Sequence, residues 1–171
     1  LSLTVENGEV VDYRHELIEL DQATETDEEM EKLIAEYNNK PEFFEEIGKS
    51  LRDHSTPETA CFYTDALRTV TGADIVFQNY GGIRAGLDYG SITPFDLYTI
   101  DPFQNGLDFF NMTVEQLEAF LNADYAPSLA YSGIKMEHRN GRVELIAVDG
   151  QLMDDATEIT VAINDYLSNV Y

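Results

Sequence analysis

Asn79-Tyr80-Gly81-Gly82-Ile83-Arg84 follows the apolar run Ala73-Asp74-Ile75-Val76-Phe77, and this junction decides how the chain is read. The run has the shortness and β-branching of a buried strand, and the glycine pair begins where such a strand should end. Paired glycines admit positive φ and leave no side chain between the backbone and a ligand. Asn79 can cap or donate, and Arg84 offers a planar fork suited to a carboxylate or phosphate. The corner therefore reads either as an anion-binding turn or as an ordinary tight turn.

Working outward, residues 57–71 place Cys61, Phe62, Ala66, Leu67 and Val70 on one helical face, with Gly72 as the residue that stops it. A helix feeding a buried strand, followed by further helices and strands, predicts an α/β (α+β) fold with mixed sheets and flanking helices. On the C-terminal side, Ile92-Thr93 is a short extended piece, and residues 94–98 read as one helical turn opened by Pro94. Residues 101–106, Asp-Pro-Phe-Gln-Asn-Gly, form a loop holding Phe103, whose bland reading is a core plug under a turn. Residues 107–112 are strand-like, and Thr113-Val114-Glu115-Gln116 has the form of a capping box opening a helix. Beyond it the pattern is mostly β. Asn140-Gly141 and Asp149-Gly150 read as hairpin turns joining three consecutive strands, the last at residues 159–163, with Asn164 to Leu167 as a loop or turn.

Toward the N-terminus, residues 1–20 read as strands around the hairpin dipeptide Asn7-Gly8. Thr26-Asp27-Glu28-Glu29 resembles a capping box, followed by the apolar stripe Met30, Leu33, Ile34 and Tyr37. A second helix is expected from Pro41 to about Arg52, carrying Phe43, Phe44, Ile47 and Leu51.

The composition narrows the function classes. In 171 residues, 33 acidic against 10 basic side chains give a formal charge of −23. That charge repels polyanions, so neither a nucleic acid polymer nor an anionic membrane surface is an expected partner. No window approaches the roughly 20 apolar residues of a membrane-spanning helix, so no membrane insertion is expected. The single cysteine, Cys61, excludes an internal disulfide and a cysteine-rich zinc cluster. His15, His54 and His138 are isolated in sequence, no metal is expected on this chain, and no G-x-S-x-G elbow, P-loop or G-x-G-x-x-G fingerprint occurs. No catalytic residue is nominated. A chain opening at Leu1 is read as a piece of a longer protein. What does stand out is a set of loop residues able to hold a flat, anionic ligand: Asn79 and Arg84 on one loop, Phe103 and Asn105 on a second, Tyr166 on a third. Two aromatics can clamp a base, at roughly 1–3 kcal/mol of stacking each.

These landmarks also carry a resemblance. Thr64-Asp65-Ala66-Leu67, Thr71-Gly72-Ala73-Asp74-Ile75, Asn79 to Arg84, Ile92-Thr93, Asp101-Pro102-Phe103-Gln104-Asn105, Met112 to Leu117, Tyr131-Ser132-Gly133-Ile134 and Asn164-Asp165-Tyr166-Leu167 occur in this order. Together they resemble the C-terminal domain of the 5′-nucleotidase family (5′-nucleotidase, UDP-sugar hydrolase and 2′,3′-cyclic phosphodiesterase type). The resemblance implies that residues 53–171 are the substrate-binding domain, residues 23–52 acidic linker helices, and residues 1–22 the closing strands of an N-terminal metallophosphatase domain. In that family a divalent metal pair on the N-terminal domain hydrolyses the phosphoester, while the C-terminal domain grips the nucleoside or nucleoside monophosphate. By resemblance, Phe103 and Tyr166 sandwich the base, Asn79 and Arg84 meet the sugar or phosphate side, and Asn105, Gly82 and Gly133 line the pocket. A periplasmic, cell-surface or secreted location is implied as well. The sequence departs from the family pattern at Tyr80 and Gln104, each standing where a glycine is usual, and Arg52 is the only nearby candidate for an arginine expected upstream. These departures leave a second reading open, a non-catalytic binding or interaction module without phosphate recognition, and a third, a structural acidic domain.

Overall fold

The structure, a computed structural model, describes residues 1–17, 25–123, 129–148, 150, 151, 154 and 156–170. They fall into two compact units, Leu1–Lys40 and Pro41–Tyr171.

In the first unit β1 (Ser2–Glu6) and β2 (Glu9–Arg14) pair antiparallel across Asn7-Gly8. Both turn residues have positive φ, 51° and 83°, as a two-residue loop matching strand twist requires. Leu17 lies outside the strands, and Ile18 to Leu20 of the expected strand region lie outside the described residues. Helix α1 (Glu28–Asn38) carries the expected stripe, but its cap differs. Asp27 rather than Thr26 caps it, its Oδ1 accepting from the Glu29 and Met30 amides at 2.9 and 3.1 Å. An ionised cap at a helix N-terminus is favoured by the local dipole, so the carboxylate wins over the hydroxyl. Met30, Leu33, Ile34 and Tyr37 are all exposed.

The second unit is built on a four-stranded sheet. The helix expected over residues 41–52 does not form there. One 3₁₀ turn (Pro41–Phe43) is followed by β3 (Gly48–Ser50), which pairs antiparallel with β5 (Gly90–Ile92). Gly48 weakens helix propensity at that point, and its pairing with Ile92 supplies ladder bonds that a short helix would not gain. Helix α2 (Thr56–Thr71) begins where Glu58 accepts from both the Ser55 amide and hydroxyl, each at 2.9 Å, and stops at Gly72 with φ 71°. It delivers the chain to β4 (Ile75–Asn79), whose residues are buried through Gln78.

After the corner come α3 (Pro94–Ile100), β6 (Leu107–Thr113), α4 (Val114–Leu121), β7 (Leu129–Ser132), β8 (Ile134–Arg139), β9 (Arg142–Val148), β10 (Glu158–Asn164) and α5 (Asp165–Val170). Thr113 caps α4 in the expected reciprocal box with Gln116. The sheet order is β6-β10-β4-β7, with β10 parallel to β4 and the outer strands antiparallel to their neighbours. The three-strand meander expected at the C-terminal end is therefore corrected. β8 and β9 pair across Asn140-Gly141 as anticipated, but β10 leaves them for the centre of the other sheet. Its alternate residues explain the choice: Ile159, Val161 and Ile163 pack with Ile75, Phe77 and Leu117 on one face, while Ala162 packs with Val76 and Ala73 on the other. A strand apolar on both faces belongs in a central, doubly covered position. Each large side chain so buried contributes about 1.5–3 kcal/mol. Asn164 to Leu167, expected as a loop, instead carries the chain directly into α5.

Candidate functional site

Because β10 and β4 run parallel, both deliver their carboxyl ends to the same edge of the sheet, where ligands of open α/β sheets gather. β4 ends there in Asn79 and β10 in Asn164, while Leu107, opposite Asn164, begins β6 at the same edge. Three turns leave or enter this edge: the glycine corner, the loop at residues 101–106, and the start of α5.

Hydrogen bonds tie the three turns into a ring. Asn164 Nδ2 donates to Asn79 Oδ1 at 2.7 Å, joining the ends of the two parallel strands. The Arg84 amide donates to the Ile100 carbonyl at 2.8 Å, fastening the corner to the end of α3. Gly106 and Asp165 exchange two bonds of 3.0 Å, amide to carboxylate in one direction and amide to carbonyl in the other. Phe103 is three residues from each of the last two fastenings, so its backbone stands within about 11 Å of both. The loop bearing it is organised by Asp101, which accepts the Phe103 amide at 3.1 Å through Oδ1 and the Tyr63 hydroxyl through Oδ2. Burial, reinforced by that carboxylate, pushes the Tyr63 hydroxyl pKa well up and keeps it a donor. Gln104 holds φ 53°, a strained backbone for a residue with a side chain, beside the aromatic that the loop presents.

Six of the seven residues singled out in the sequence are thus brought to one edge: Asn79, Gly82, Arg84, Phe103, Asn105 and Tyr166. Phe103 and Tyr166 are about half exposed, 52% and 50%, so Phe103 is not the core plug of its bland reading and both rings are free to stack on a ligand. Arg84 is exposed, with Nη1 donating to the Gly81 carbonyl at 3.2 Å. Gly82 is buried, and a Cβ there would overlap Gln78 Nε2; the glycine makes room for a side chain beneath the turn. Tyr80 is accommodated toward Cys61 and Tyr131, burial and then these neighbours pushing its hydroxyl pKa up.

Gly133 is not part of this edge. Ser132 pairs with Val76 and Leu129 with Asn79, so β7 runs away from the site, and Gly133 lies against the Asp74 carbonyl and Arg68. Five strand steps, about 16 Å, separate residue 74 from Asn79. Arg52, the candidate for an upstream arginine, is engaged elsewhere, its Nη2 2.8 Å from Glu58 Oε1. The residues that sequence reasoning passed over are the ones that fasten the ring: Gln78, Asp101, Gly106, Asn164 and Asp165. Asp101, Asn164 and Asp165 stand among the ordered landmarks of the resemblance, and Gln78 and Asn164 are marked as polar residues at the end of an apolar run.

A separate cleft of about 850 Å³ is lined by Leu51, Phe62, Tyr63, Leu67, Val70 and Leu97 among others. Of the cations that line it, Lys49 pairs with Glu46 at 3.4 Å and Arg52 with Glu58 at 2.8 Å.

Residues 34–170 match the family described as 5′-nucleotidase, C-terminal domain. The chain belongs to that family. The match begins inside α1, upstream of residue 53, where the sequence reading started the domain. Among curated relatives, a 5′-nucleotidase of Vibrio vulnificus is 30% identical over 97 residues, covering 52% of this chain and 18% of its own length. An apyrase of Tabanus yao is 38% identical over 73 residues, covering 42% of this chain and 13% of its own. The chain thus spans under a fifth of these relatives. Among solved structures, the 5′-nucleotidase precursor of Thermus thermophilus superposes with a TM-score of 0.66 at 23% identity, covering 98% of this chain and 39% of that one. This 5′-nucleotidase C-terminal domain fold is the substrate-binding part of metallophosphohydrolases. Among the described residues no group of three or more metal-ligating side chains is assembled, and no helix is long and apolar enough to cross a membrane.

Proposed function

We propose that this chain is the substrate-recognition module of a 5′-nucleotidase-like hydrolase that dephosphorylates nucleotides, and that it is inactive by itself. The observation that carries the reading is the closed ring of hydrogen bonds holding three ligand-bearing turns at the carboxyl edge of two parallel strands. In this reading Phe103 and Tyr166 clamp the base, Asn105 lies along it, and Asn79 with Arg84 meets the sugar or phosphate. Hydrolysis belongs to a divalent metal pair on an N-terminal metallophosphatase domain of the same protein, to which residues 1–22 and the acidic segment 23–52 lead, with residues 53–171 as the recognition domain. A periplasmic, secreted or cell-surface location accords with the precursor status of the Thermus thermophilus structure.

Calorimetric titration of the chain with adenosine and with adenosine 5′-monophosphate tests this. Saturable binding of either supports it; no heat at millimolar concentrations of both overturns it. One observation favours a variant of the reading, a binding module without phosphate recognition: Arg52 is held by Glu58, leaving Arg84 as the cation at the ring. Equal affinities for the nucleoside and its monophosphate would select that variant, and tighter binding of the monophosphate would reject it.

A further inference from the structure

Asn164 closes β10 with 2% of its surface exposed, and every polar atom of its amide is used. Oδ1 accepts from the Leu167 amide at 2.9 Å; Nδ2 donates to Gln78 Oε1 at 2.8 Å and to Asn79 Oδ1 at 2.7 Å. The order of these bonds is dictated from one end. A backbone N–H can only donate, so the Leu167 amide fixes which face of the Asn164 amide is oxygen. Nδ2 must then face the other two side chains, and each of them must answer with its oxygen. Asn79 is left with Nδ2 on the side of exposed Gly81, where a Cβ on that glycine would lie 3.5 Å away. Gln78 is left with Nε2 buried, unpartnered and pressed against Gly82. The same Asn164 oxygen caps the first turn of α5, which carries Tyr166.

We infer that Asn164 is the positioning residue of the site: through one amide it forces Asn79 to present a hydrogen-bond donor, never an acceptor, and fixes that donor relative to the Tyr166 ring. Asn79 therefore recognises a ligand oxygen lone pair, as on a sugar hydroxyl or a phosphate, and rejects a group that can only donate there. Gly82 is required because a side chain at that position would displace Gln78 from the network. This assignment rests on the proposed nucleoside site for its ligand, but the amide orientation stands independently of any ligand.

The experiment separates the two. In ¹⁵N-labelled full chain without ligand, the side-chain NH₂ of Asn164 should exchange slowly with solvent and that of Asn79 fast, the signals being identified by their loss in Asn164→Asp and Asn79→Asp. Asn164→Asp keeps the oxygen that caps Leu167 but turns a second acceptor toward Gln78 and Asn79, so the Asn79 amide should reverse and its NH₂ become slowly exchanging. Slow exchange at Asn79 in the unaltered chain overturns the inference. Asn79→Asp keeps the inward acceptor and the fold while removing the outward donor; adenosine affinity should fall about five- to tenfold, the size of one neutral hydrogen bond. Unchanged affinity in that variant also overturns it. Should the unaltered chain bind no nucleoside, the site reading fails while the exchange pattern still decides the amide orientation.

Discussion

Phe103 and Tyr166 illustrate how a side chain can be chosen for what it leaves uncovered. Each keeps half its surface open although large aromatics usually gain by burial, and each stands on a turn fastened by backbone or carboxylate bonds rather than by its own ring. Phe103→Ala and Tyr166→Ala should each weaken adenosine binding by about 1–3 kcal/mol with little change in melting temperature. Calorimetry alongside thermal unfolding checks both halves; full affinity in both variants would remove the clamp. Glu58 works on stability instead. The Arg52 guanidinium, with the Ser55 amide and hydroxyl, holds its carboxyl down from 4.5 to about 2. A folded pKa below the unfolded one stabilises above the unfolded value, and that stabilisation is lost as pH falls toward the folded one. The stability difference between the unaltered chain and Glu58→Gln should thus be constant above about pH 5 and shrink between pH 4.5 and 2. Urea unfolding across that range measures it; a difference independent of pH would mean the ionised cap contributes nothing.

At the scale of elements, the contact between α2 and β7 decides where the two ends of the sheet differ. Gly133 has φ 88°, and a Cβ there would overlap the Asp74 carbonyl and come within 2.6 Å of Arg68 Nε. The glycine is needed so that β7 can turn beneath the end of α2, whose Arg68 Nε donates to that same carbonyl at 2.8 Å. Gly133→Ala should therefore cost about 1–3 kcal/mol of stability, from strain and the displaced contact. Nucleoside affinity of the folded variant should stay the same, since the change lies at the end of β4 remote from Asn79. A lowered affinity with unchanged stability would return Gly133 to the pocket that the family resemblance assigned it. By contrast, α5 has no strong propensity of its own over six residues; Leu167, 3% exposed in the main core, and the Asn164 cap hold it in place.

For the whole molecule the governing quantity is a charge of −23 on 171 residues. The ion pairs of Lys49 with Glu46, Arg52 with Glu58, and Arg139 with Glu137 and Glu144 are exposed, so each offsets little of the mutual repulsion. Raising sodium chloride from 10 mM to 0.3 M shortens the screening length from about 30 Å to well under 10 Å, and the melting temperature should rise accordingly. A melting temperature that falls or stays constant would show that specific pairs, not self-repulsion, dominate the electrostatics. At long range the same charge repels any anion, so in the proposed function phosphate recognition must rest on donors at short distance such as Arg84.

The sequence by itself determined several features that depend on neighbours along the chain. The Asn7-Gly8 and Asn140-Gly141 turns, the Gly72 stop, the Thr113 cap and the order of loop landmarks from Asn79 to Tyr166 all follow from backbone freedom, capping and short-range spacing. Tertiary structure alone decided which strands lie side by side. Burial on both faces drew β10 from its sequence neighbours into the centre beside β4, and that choice set Asn164 next to Asn79 across 85 residues. Pairing of β7 with β4 sent Gly133 to the far end of the sheet, and pairing with β5 turned residues 48–50 from expected helix into strand. Such pairings depend on total apolar area buried and on which buried amides find partners, quantities that belong to the assembled molecule and to no single stretch of it.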